Sequence, residues 1–421
     1  MIAGMSARLG VLRETAFRRF WIGQSVSFLG SQVTSLALPL TAVILLQASP
    51  DQMGILTAAG FVPFLIVGLL AGVWVDRMRR RTILVASDLV SAVAVVAIPV
   101  AAATGRLGMP LLYVVGFVLG FVAVISTVAY QAFMPSLVGR DRLVEASSRM
   151  EVANSVSSIV GPGLGGFLVQ VLTAPIALVA DALSFLFSAA LVGSIQVDEP
   201  PPIPIAERAS VRGQIAEGLR LVVATPVLRA LASCGAIHNF FSRMIDALFV
   251  LYAVKELGLG PVELGLVFAA GGPGALLGAV AVGWLGRRVG VGPTIVWMQV
   301  LTGVSRLLIP LAGGPAWLVL LVLGGSEFLL GFVRTAFNVT QVSLRLAMTA
   351  DRLHGRVNAT IRFLMWCVTP FGALAGGLMA TTALGLRGTL LMAGIGVFVA
   401  FVPLLAQPLR TVRTIPTVSE A

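Results

Sequence analysis

Charged side chains are scarce in this 421-residue sequence, at 11% against about 25% in soluble globular proteins. Hydrophobic residues make up 57% of the chain, and 46 glycines add to the apolar share. Too few polar residues remain to cover a surface that faces water, so most of the chain must face lipid. A soluble multidomain protein is therefore excluded.

Lysine is nearly absent, because 28 of the 29 basic residues are arginine and Lys255 is the single exception. A P-loop needs Gly-Lys-Ser/Thr to bind nucleotide phosphates. Lys255 lies between Val254 and Glu256, so the chain has no Walker motif. We expect the driving energy to come from an ion gradient or a partner subunit rather than from ATP hydrolysis by this chain.

Cysteine and histidine are also rare. Cys234 and Cys367 lie in apolar runs without CxxC spacing, and His238 and His354 are far apart. No Ser-His-Asp set or nucleotide loop is present either. We therefore expect no metal site, no cofactor and no catalytic residue, and the protein is predicted not to be an enzyme.

Twelve apolar runs are long enough for transmembrane helices, which need about 20 residues each. Their approximate limits are 20 to 46, 52 to 75, 82 to 103, 110 to 134, 147 to 171, 175 to 196, 229 to 253, 262 to 284, 293 to 312, 316 to 343, 358 to 381 and 387 to 406. Open strands would leave backbone groups unpaired in lipid, and the alternation typical of a barrel is missing. The sequence predicts an all-α membrane protein.

Basic residues are distributed very unevenly between the two sides of this layout. One side carries 22 of the 29, the other only Arg106, Lys255 and Arg387. Four more, Arg243, Arg306, Arg334 and Arg362, fall within spans, and Arg345 is one of the 22. Positive charge marks the cytoplasmic side, so both termini are expected there, in the inner (plasma) membrane. The net charge of +11 is thus a topology signal, and no nucleic-acid partner is expected.

The two halves of the chain resemble each other. A shift of 210 residues places Pro63 on Pro273, Trp74 on Trp284 and Asp141-Arg142-Leu143 on Asp351-Arg352-Leu353. Such repeats are typical of transporters. We expect two pseudo-symmetric six-helix bundles, residues 1–196 and 226–421, in a monomer. Residues 197–225 would form a cytoplasmic linker with an amphipathic segment from Val211 to Val223.

The loop after span 2 carries the first recognisable motif, Gly72-Val73-Trp74-Val75-Asp76-Arg77-Met78-Arg79-Arg80-Arg81. Arginines alone would serve as a stop-transfer signal, but Asp76 adds nothing to orientation and can pair with them or act at a helix N-terminus. The loop resembles the Gly-x-x-x-Asp-Arg-x-Gly-Arg-Arg loop of the major facilitator superfamily. The arrangement of twelve spans extends this resemblance over the whole chain. The resemblance implies a facilitator-type fold and a contact, or latch, that holds the two bundles together in one conformational state and breaks in the other. The residues that would form this conformational motif are Gly72, Asp76, Arg77, Arg80 and Arg81.

Span 5 carries the second motif, Gly161-Pro162-Gly163-Leu164-Gly165-Gly166. One interpretation is a packing kink, since neighbouring helices in lipid tolerate proline and bare glycine faces permit close approach. The other is a resemblance to the Gly-Pro-x-x-Gly-Gly signature of the antiporter branch of the superfamily, carried here by Gly161, Pro162, Gly165 and Gly166. The loop before it, Asp141-Arg142-Leu143 with Glu145-Ala146, resembles the drug, macrolide and siderophore exporter branch. These resemblances imply export by proton antiport.

Polar residues inside the spans mark candidate sites, because each is unfavourable in lipid unless paired or hydrated. Span 10 has Glu327, Arg334, Asn338 and Gln341 on one helical stripe, and span 7 has Asn239, Arg243 and Asp246 on another. A structural Arg243–Asp246 ion pair is one interpretation. The other assigns proton coupling to Asp246 and Glu327 with Arg243 and Arg334 as partners. The substrate-cavity candidates are Gln24, Ser31, Asn239, Asn338 and Gln341. Asp88 and Asp181 are expected to be solvated or paired locally.

The function expected from these features is secondary active transport by alternating access. The chain would export a partly apolar small molecule such as a drug, macrolide or siderophore in exchange for protons. Two alternatives stay open, namely a proton-coupled uptake symporter and a non-transporting membrane sensor or scaffold.

Overall fold

The computed structural model describes residues 10–68, 71–75, 77–139, 141–197, 199, 211–348, 354–405 and 413. This part of the chain is helical and contains no β-strand. Twelve segments are long and apolar enough to cross a membrane. These spans, numbered 1 to 12 in order, are Thr15–Leu45, Pro50–Val67, Arg80–Ala103, Met109–Val138, Leu143–Leu172, Ala174–Gly193, Pro226–Lys255, Pro261–Arg288, Val291–Leu311, Ala316–Ala347, Val357–Ala380 and Gly385–Leu405. The predicted all-α class with twelve spans is confirmed.

Four spans are not single α-helices. The composite ones are span 1, with an α-helix Thr15–Leu40 and a π-helical end Thr41–Leu45; span 8, with Pro261–Ala269 and Gly271–Arg288; span 11, within His354–Trp366 and Thr369–Ala380; and span 12, with Gly385–Val399 and a 3₁₀ turn Val402–Leu405. The helical segments outside the spans are Gly10–Arg13, Ala71–Val75 and Val211–Ala224. The last of these matches the predicted amphipathic segment, and its place at the membrane surface stays a prediction.

Several helices extend beyond the apolar runs that predicted them. Span 10 was expected to end at residue 343, but its helix continues to Ala347. Arg345, counted with the basic residues of one side, lies in the last turn of this helix. Backbone hydrogen bonding has no reason to stop where hydropathy falls, so a helix continues into the interface when its residues favour it.

The chain divides into two compact units. The first comprises Met1–Gln47 and Val62–Glu207, and the second comprises Ala48–Phe61 and Arg208–Ala421. In the first unit, span 1 packs on spans 5 and 6, and span 3 packs on spans 4 and 6. In the second, span 10 packs on spans 8 and 9, and span 7 packs on spans 11 and 12.

Two carboxyl groups are buried in the first unit. Asp181 is fully buried and accepts hydrogen bonds from Thr34 Oγ1 at 2.5 Å and Ser184 Oγ at 2.9 Å. Asp88 is 8% exposed. Of the two expected alternatives, burial contradicts a solvated position for both residues. Local pairing is seen for Asp181, whose partner Ser184 is three residues away. Thr34 comes from span 1, so the partner of Asp181 is partly tertiary and invisible to local spacing.

The glycine motif of span 5 lies inside an unbroken helix, Leu143–Leu172, that packs on span 1. Gly161, Pro162, Gly165 and Gly166 are all buried. A Cβ at Gly165 would lie 3.2 Å from Val33 Cα, whereas one at Gly163 would meet nothing within 4 Å. Close approach of the two backbones is thus one reason for glycine here, and the antiporter role of the motif stays a prediction.

This geometry predicts different effects for two neighbouring substitutions. Gly165→Val is expected to lower the melting temperature in detergent, because its side chain meets the backbone of span 1. Gly163→Val, the matched control in the same motif, is expected to melt like the parent. Equal losses in the two variants would show that backbone approach is not what requires glycine at position 165.

Candidate functional site

A cavity of about 480 Å³ lies inside the second unit, among spans 7, 9, 10 and 11. Its volume is within the range of pockets that bind drug-sized molecules. Of the residues predicted to form the site, six line it: Asn239, Arg243, Asp246, Arg334, Asn338 and Gln341. The two polar stripes inferred from helical spacing on spans 7 and 10 therefore meet in one cavity.

A chain of ion pairs forms part of the cavity wall. Asp246 accepts from Arg243 Nη1 at 2.9 Å and from Arg306 Nη2 at 3.2 Å. Arg306 Nη1 also contacts Glu327 Oε1 at 3.4 Å. Arg306 and Glu327 are only 8% and 9% exposed. Each carboxylate thus compensates part of the positive charge of an arginine. An unpaired charge is strongly unfavourable in a low-dielectric interior.

Arg306 is the central residue of this network, although no local pattern in the sequence marks it as a site residue. Its position inside a membrane span is the only signal that the sequence offers. Span 9 carries no acid near Arg306, so local spacing suggested no pair. Its two carboxylate partners lie 60 and 21 residues away along the chain, on spans 7 and 10.

Aromatic rings hold Arg243 in place. Its guanidinium carbon lies 4.4 Å from the ring centroid of Phe61 and 5.9 Å from that of Trp366. Phe61 belongs to the part of span 2 that is in the second unit. Stacking of a guanidinium on aromatic faces is attractive and limits its rotamers. Arg243 is therefore fixed both by Asp246 and by two rings.

The amide side chains of the cavity differ in their contacts. Asn239 Nδ2 donates to the backbone carbonyl of Met365 at 2.7 Å and so joins spans 7 and 11. Gln341 is buried, and its Oε1 has no hydrogen-bond partner among the described residues. Asn338 is exposed on the cavity wall. Asn338 and Gln341 thus keep polar atoms available to a bound molecule, while Asn239 also serves packing.

Two predicted cavity residues belong to the first unit and do not line this cavity. Gln24 is buried, and its Nε2 donates to Ser188 Oγ at 3.1 Å. Ser31 is half-buried on the same span. For Gln24 the structure provides an internal partner on span 6, and the substrate role of both residues stays a prediction.

The loop motif after span 2 is only partly described. Asp76 lies outside the described residues, Arg77 is exposed, and a Cβ at Gly72 would meet nothing within 4 Å. Arg81 donates from its guanidinium to the carbonyl of Gly193 at the end of span 6. The latch role of this motif stays a prediction.

The carboxylate found at the N-terminus of span 3 is Glu199, which belongs to no recognisable sequence motif. It accepts the backbone N–H groups of Arg80 at 2.6 Å and Arg81 at 3.1 Å. The first N–H groups of a helix have no partner within the helix, and an anion there is stabilised by the helix dipole. Glu199 and Arg81 together tie the start of span 3 to the segment that follows span 6.

Comparison with known proteins agrees with this architecture. The family model described as transmembrane secretion effector matches residues 6–420. The multidrug efflux pump Tap of Mycolicibacterium fortuitum is 29% identical over 391 residues, covering 90% of this chain and 93% of Tap. The enterobactin exporter EntS of Salmonella typhimurium is 24% identical over 423 residues, covering 96% of each chain. The macrolide efflux protein A of Streptococcus pyogenes is 24% identical over 274 residues, covering 64% of this chain and 67% of that protein.

Solved structures share the fold at low sequence identity. A bacterial homologue of the iron transporter ferroportin, in an inward-facing state, has a TM-score of 0.70 at 16% identity, covering 93% of this chain and 98% of that one. The nucleoside transporter NupG has a TM-score of 0.75 at 11% identity, covering 93% and 100%. Twelve membrane-spanning helices, the fold and a family match over nearly the whole length lead to one conclusion. The chain belongs to the transmembrane secretion effector family of the major facilitator superfamily and is a multi-pass membrane transporter, not an enzyme.

Proposed function

We propose that this transporter exports a partly apolar organic compound in exchange for protons by alternating access. The observation that carries the proposal is the chain of ion pairs Arg243–Asp246–Arg306–Glu327, whose first three residues line a drug-sized cavity. The named relatives support the direction, because they are a multidrug efflux pump, a macrolide efflux protein and an enterobactin exporter.

The ion-pair chain supplies a physical route for coupling. Protonation of Glu327 or Asp246 would remove a negative charge and weaken the attraction that holds Arg306 between them. Arg306 would then shift its contacts, and spans 7, 9 and 10 would change how they pack. A proton can alter the cavity in this way without a large movement at the site itself. Asp246 and Glu327 are accordingly our candidates for the coupling acids. Their ion-pair partners are Arg243 and Arg306, whereas Arg334, the partner expected from helical spacing, forms no ion pair with a described residue.

Orientation and assembly complete the proposal. The excess of basic residues on one side supports cytoplasmic termini in the inner (plasma) membrane. We propose a monomer that needs the lipid bilayer, protons and a small-molecule substrate, with no nucleic acid.

Transport in proteoliposomes is expected to follow an imposed pH gradient once an efflux panel of antibiotics, dyes and siderophores has identified a substrate. Asp246→Asn and Glu327→Gln are each expected to lower gradient-driven flux by about tenfold or more, since each removes a protonatable group. Glu256→Gln, which changes an exposed acid at the end of span 7, is the control and should transport like the parent. Unchanged coupled flux in both Asp246→Asn and Glu327→Gln would remove these acids from the mechanism.

Uptake together with protons is the second candidate. The observation that favours it is the excess of arginine over acid in the cavity. Protonation of Asp246 or Glu327 would raise the positive charge and strengthen binding of a negatively charged substrate, so that proton and substrate would bind together. Flux direction under the same gradient separates the candidates. Movement of the substrate in the direction opposite to proton flow supports export, and movement of the substrate in the same direction as the protons supports uptake.

A further inference from the structure

We propose that the substrate carries an anionic group, which Arg334 binds with Arg243 and Arg306 contributing further donors. This inference rests on the proposed function in one respect, since it takes the cavity of the second unit as the transport site. It concerns the charge of the substrate and applies to export and to uptake alike. The substrate class would then be an organic anion, such as a carboxylate or an acidic phenol, attached to an apolar body.

The charge of the cavity is the first argument. Five arginines line it, namely Arg243, Arg306, Arg334, Arg345 and Arg362. Among the described residues, Arg243, Arg306 and Arg334 face two acids, Asp246, which also lines the cavity, and Glu327, which contacts Arg306. The formal net charge of these five groups is +1, because Arg334 has no carboxylate partner among them. Excess charge of one sign in a low-dielectric site is unfavourable until a counter-charge enters, so the cavity favours an anionic occupant.

Unused donors are the second argument. Arg334 is exposed on the cavity wall and forms no ion pair or hydrogen bond with any described residue. The Nε–H groups of Arg243 and Arg306 are buried, and within the described chain neither has an acceptor. Buried N–H groups are normally satisfied, because an unmade hydrogen bond there is strongly unfavourable. An anionic oxygen in the cavity would accept from the exposed guanidinium of Arg334 in charge-assisted hydrogen bonds. The buried Nε–H groups of Arg243 and Arg306 become available to it only when these side chains shift.

The rest of the wall determines the body of the substrate. Leu330, Phe337, Met365 and Trp366 line the same cavity. Trp366 also lies beside Arg243, so an aromatic ring next to the anionic group would contact both an indole face and a guanidinium plane. Apolar surface with a few fixed polar groups is the usual composition of a small-molecule site. An aromatic carboxylate fits both parts of the wall.

The sign of the cavity potential can be measured without knowing the natural substrate. Asn338→Cys places a thiol on the wall one turn from Arg334, in a chain whose own cysteines are changed by Cys234→Ala and Cys367→Ala. The thiol is labelled with an anionic reagent, sulfonatoethyl methanethiosulfonate, and with a cationic one, trimethylammonioethyl methanethiosulfonate. Each labelling rate is divided by the rate of the same reagent with free 2-mercaptoethanol, which corrects for the different intrinsic reactivities of the two reagents. The anionic reagent is expected to react about tenfold faster than the cationic one on this scale. Arg334→Gln should lower that ratio, and Arg288→Gln, which removes an arginine outside the cavity, should not.

The same thiol reports on ligand class. 2-Naphthoate is expected to slow labelling of position 338 by the neutral reagent N-ethylmaleimide. Its methyl ester, which has no charge, is not expected to slow this labelling. Arg334→Gln should abolish the protection by 2-naphthoate. Faster labelling by the cationic reagent, or equal protection by acid and ester, would overturn the anionic site. Neither measurement needs transport. If labelling is as expected but the protein exports nothing, the proposed export is overturned and the anionic site is not. If the protein exports neutral compounds and the thiol reacts faster with the cationic reagent, the anionic site is overturned and the proposed export is not.

Discussion

Arg306→Met is expected to destabilise the folded protein by about 3 to 5 kcal/mol, the loss typical when one partner of a buried ion pair is removed. Arg306 is the ion-pair partner of Glu327 in the described chain, and both side chains are almost fully buried. The substitution leaves Glu327 without a cation, while Asp246 keeps Arg243. The melting temperature in detergent, measured at fixed lipid and salt, is the readout.

Two further variants show whether the unpaired charge is the cause. Arg306→Met combined with Glu327→Met removes both charges and should recover most of the lost stability. Arg334→Met, which removes an arginine from the same cavity, should not destabilise, because Arg334 has no ion-pair partner in the described chain. A double variant as unstable as Arg306→Met, or an equal loss in Arg334→Met, would contradict the assigned role of Arg306.

Gly331→Val is expected to prevent the close packing of spans 8 and 10 in the second unit, with a loss of about 1 to 3 kcal/mol or more from overpacking. A Cβ at Gly331 would overlap the backbone carbonyl of Gly271. From the other side, Cβ atoms at Gly274 and Gly278 would overlap the carbonyls of Phe328 and Phe332. Backbone atoms cannot rotate away as a side chain can, so the helices would have to separate. Small residues that permit such approach are typical of membrane helix pairs.

Gly325→Val is the matched control, because it lies on the same span and a Cβ at Gly325 would meet nothing within 4 Å. The expected result is a lower melting temperature and a larger aggregated fraction on size-exclusion chromatography for Gly331→Val only. Gly331→Ala should show a smaller loss of the same kind. Gly331→Val that elutes and melts like Gly325→Val would mean that the two backbones are not in contact at this position.

Much of the site followed from sequence because helix geometry is local. Residues seven apart on span 10, such as Glu327 and Arg334, must lie on one side of the helix, as must residues three apart on span 7. Arg243–Asp246, the pair with the shortest separation, is formed at 2.9 Å. Partners on different helices were missed in every case: Arg306 with Asp246, Thr34 with Asp181, and Glu199 at the start of span 3.

The sequence by itself determined that this protein lies in a membrane, has twelve helices and belongs to the facilitators. Each of those properties depends on composition, run length or a contiguous motif. Tertiary structure alone decided that Arg306 joins two acids and that Arg345 and Arg362 line the same cavity. The physical reason is that side chains on separate helices meet only when the helices pack, and hydrophobic periodicity does not encode which faces come together.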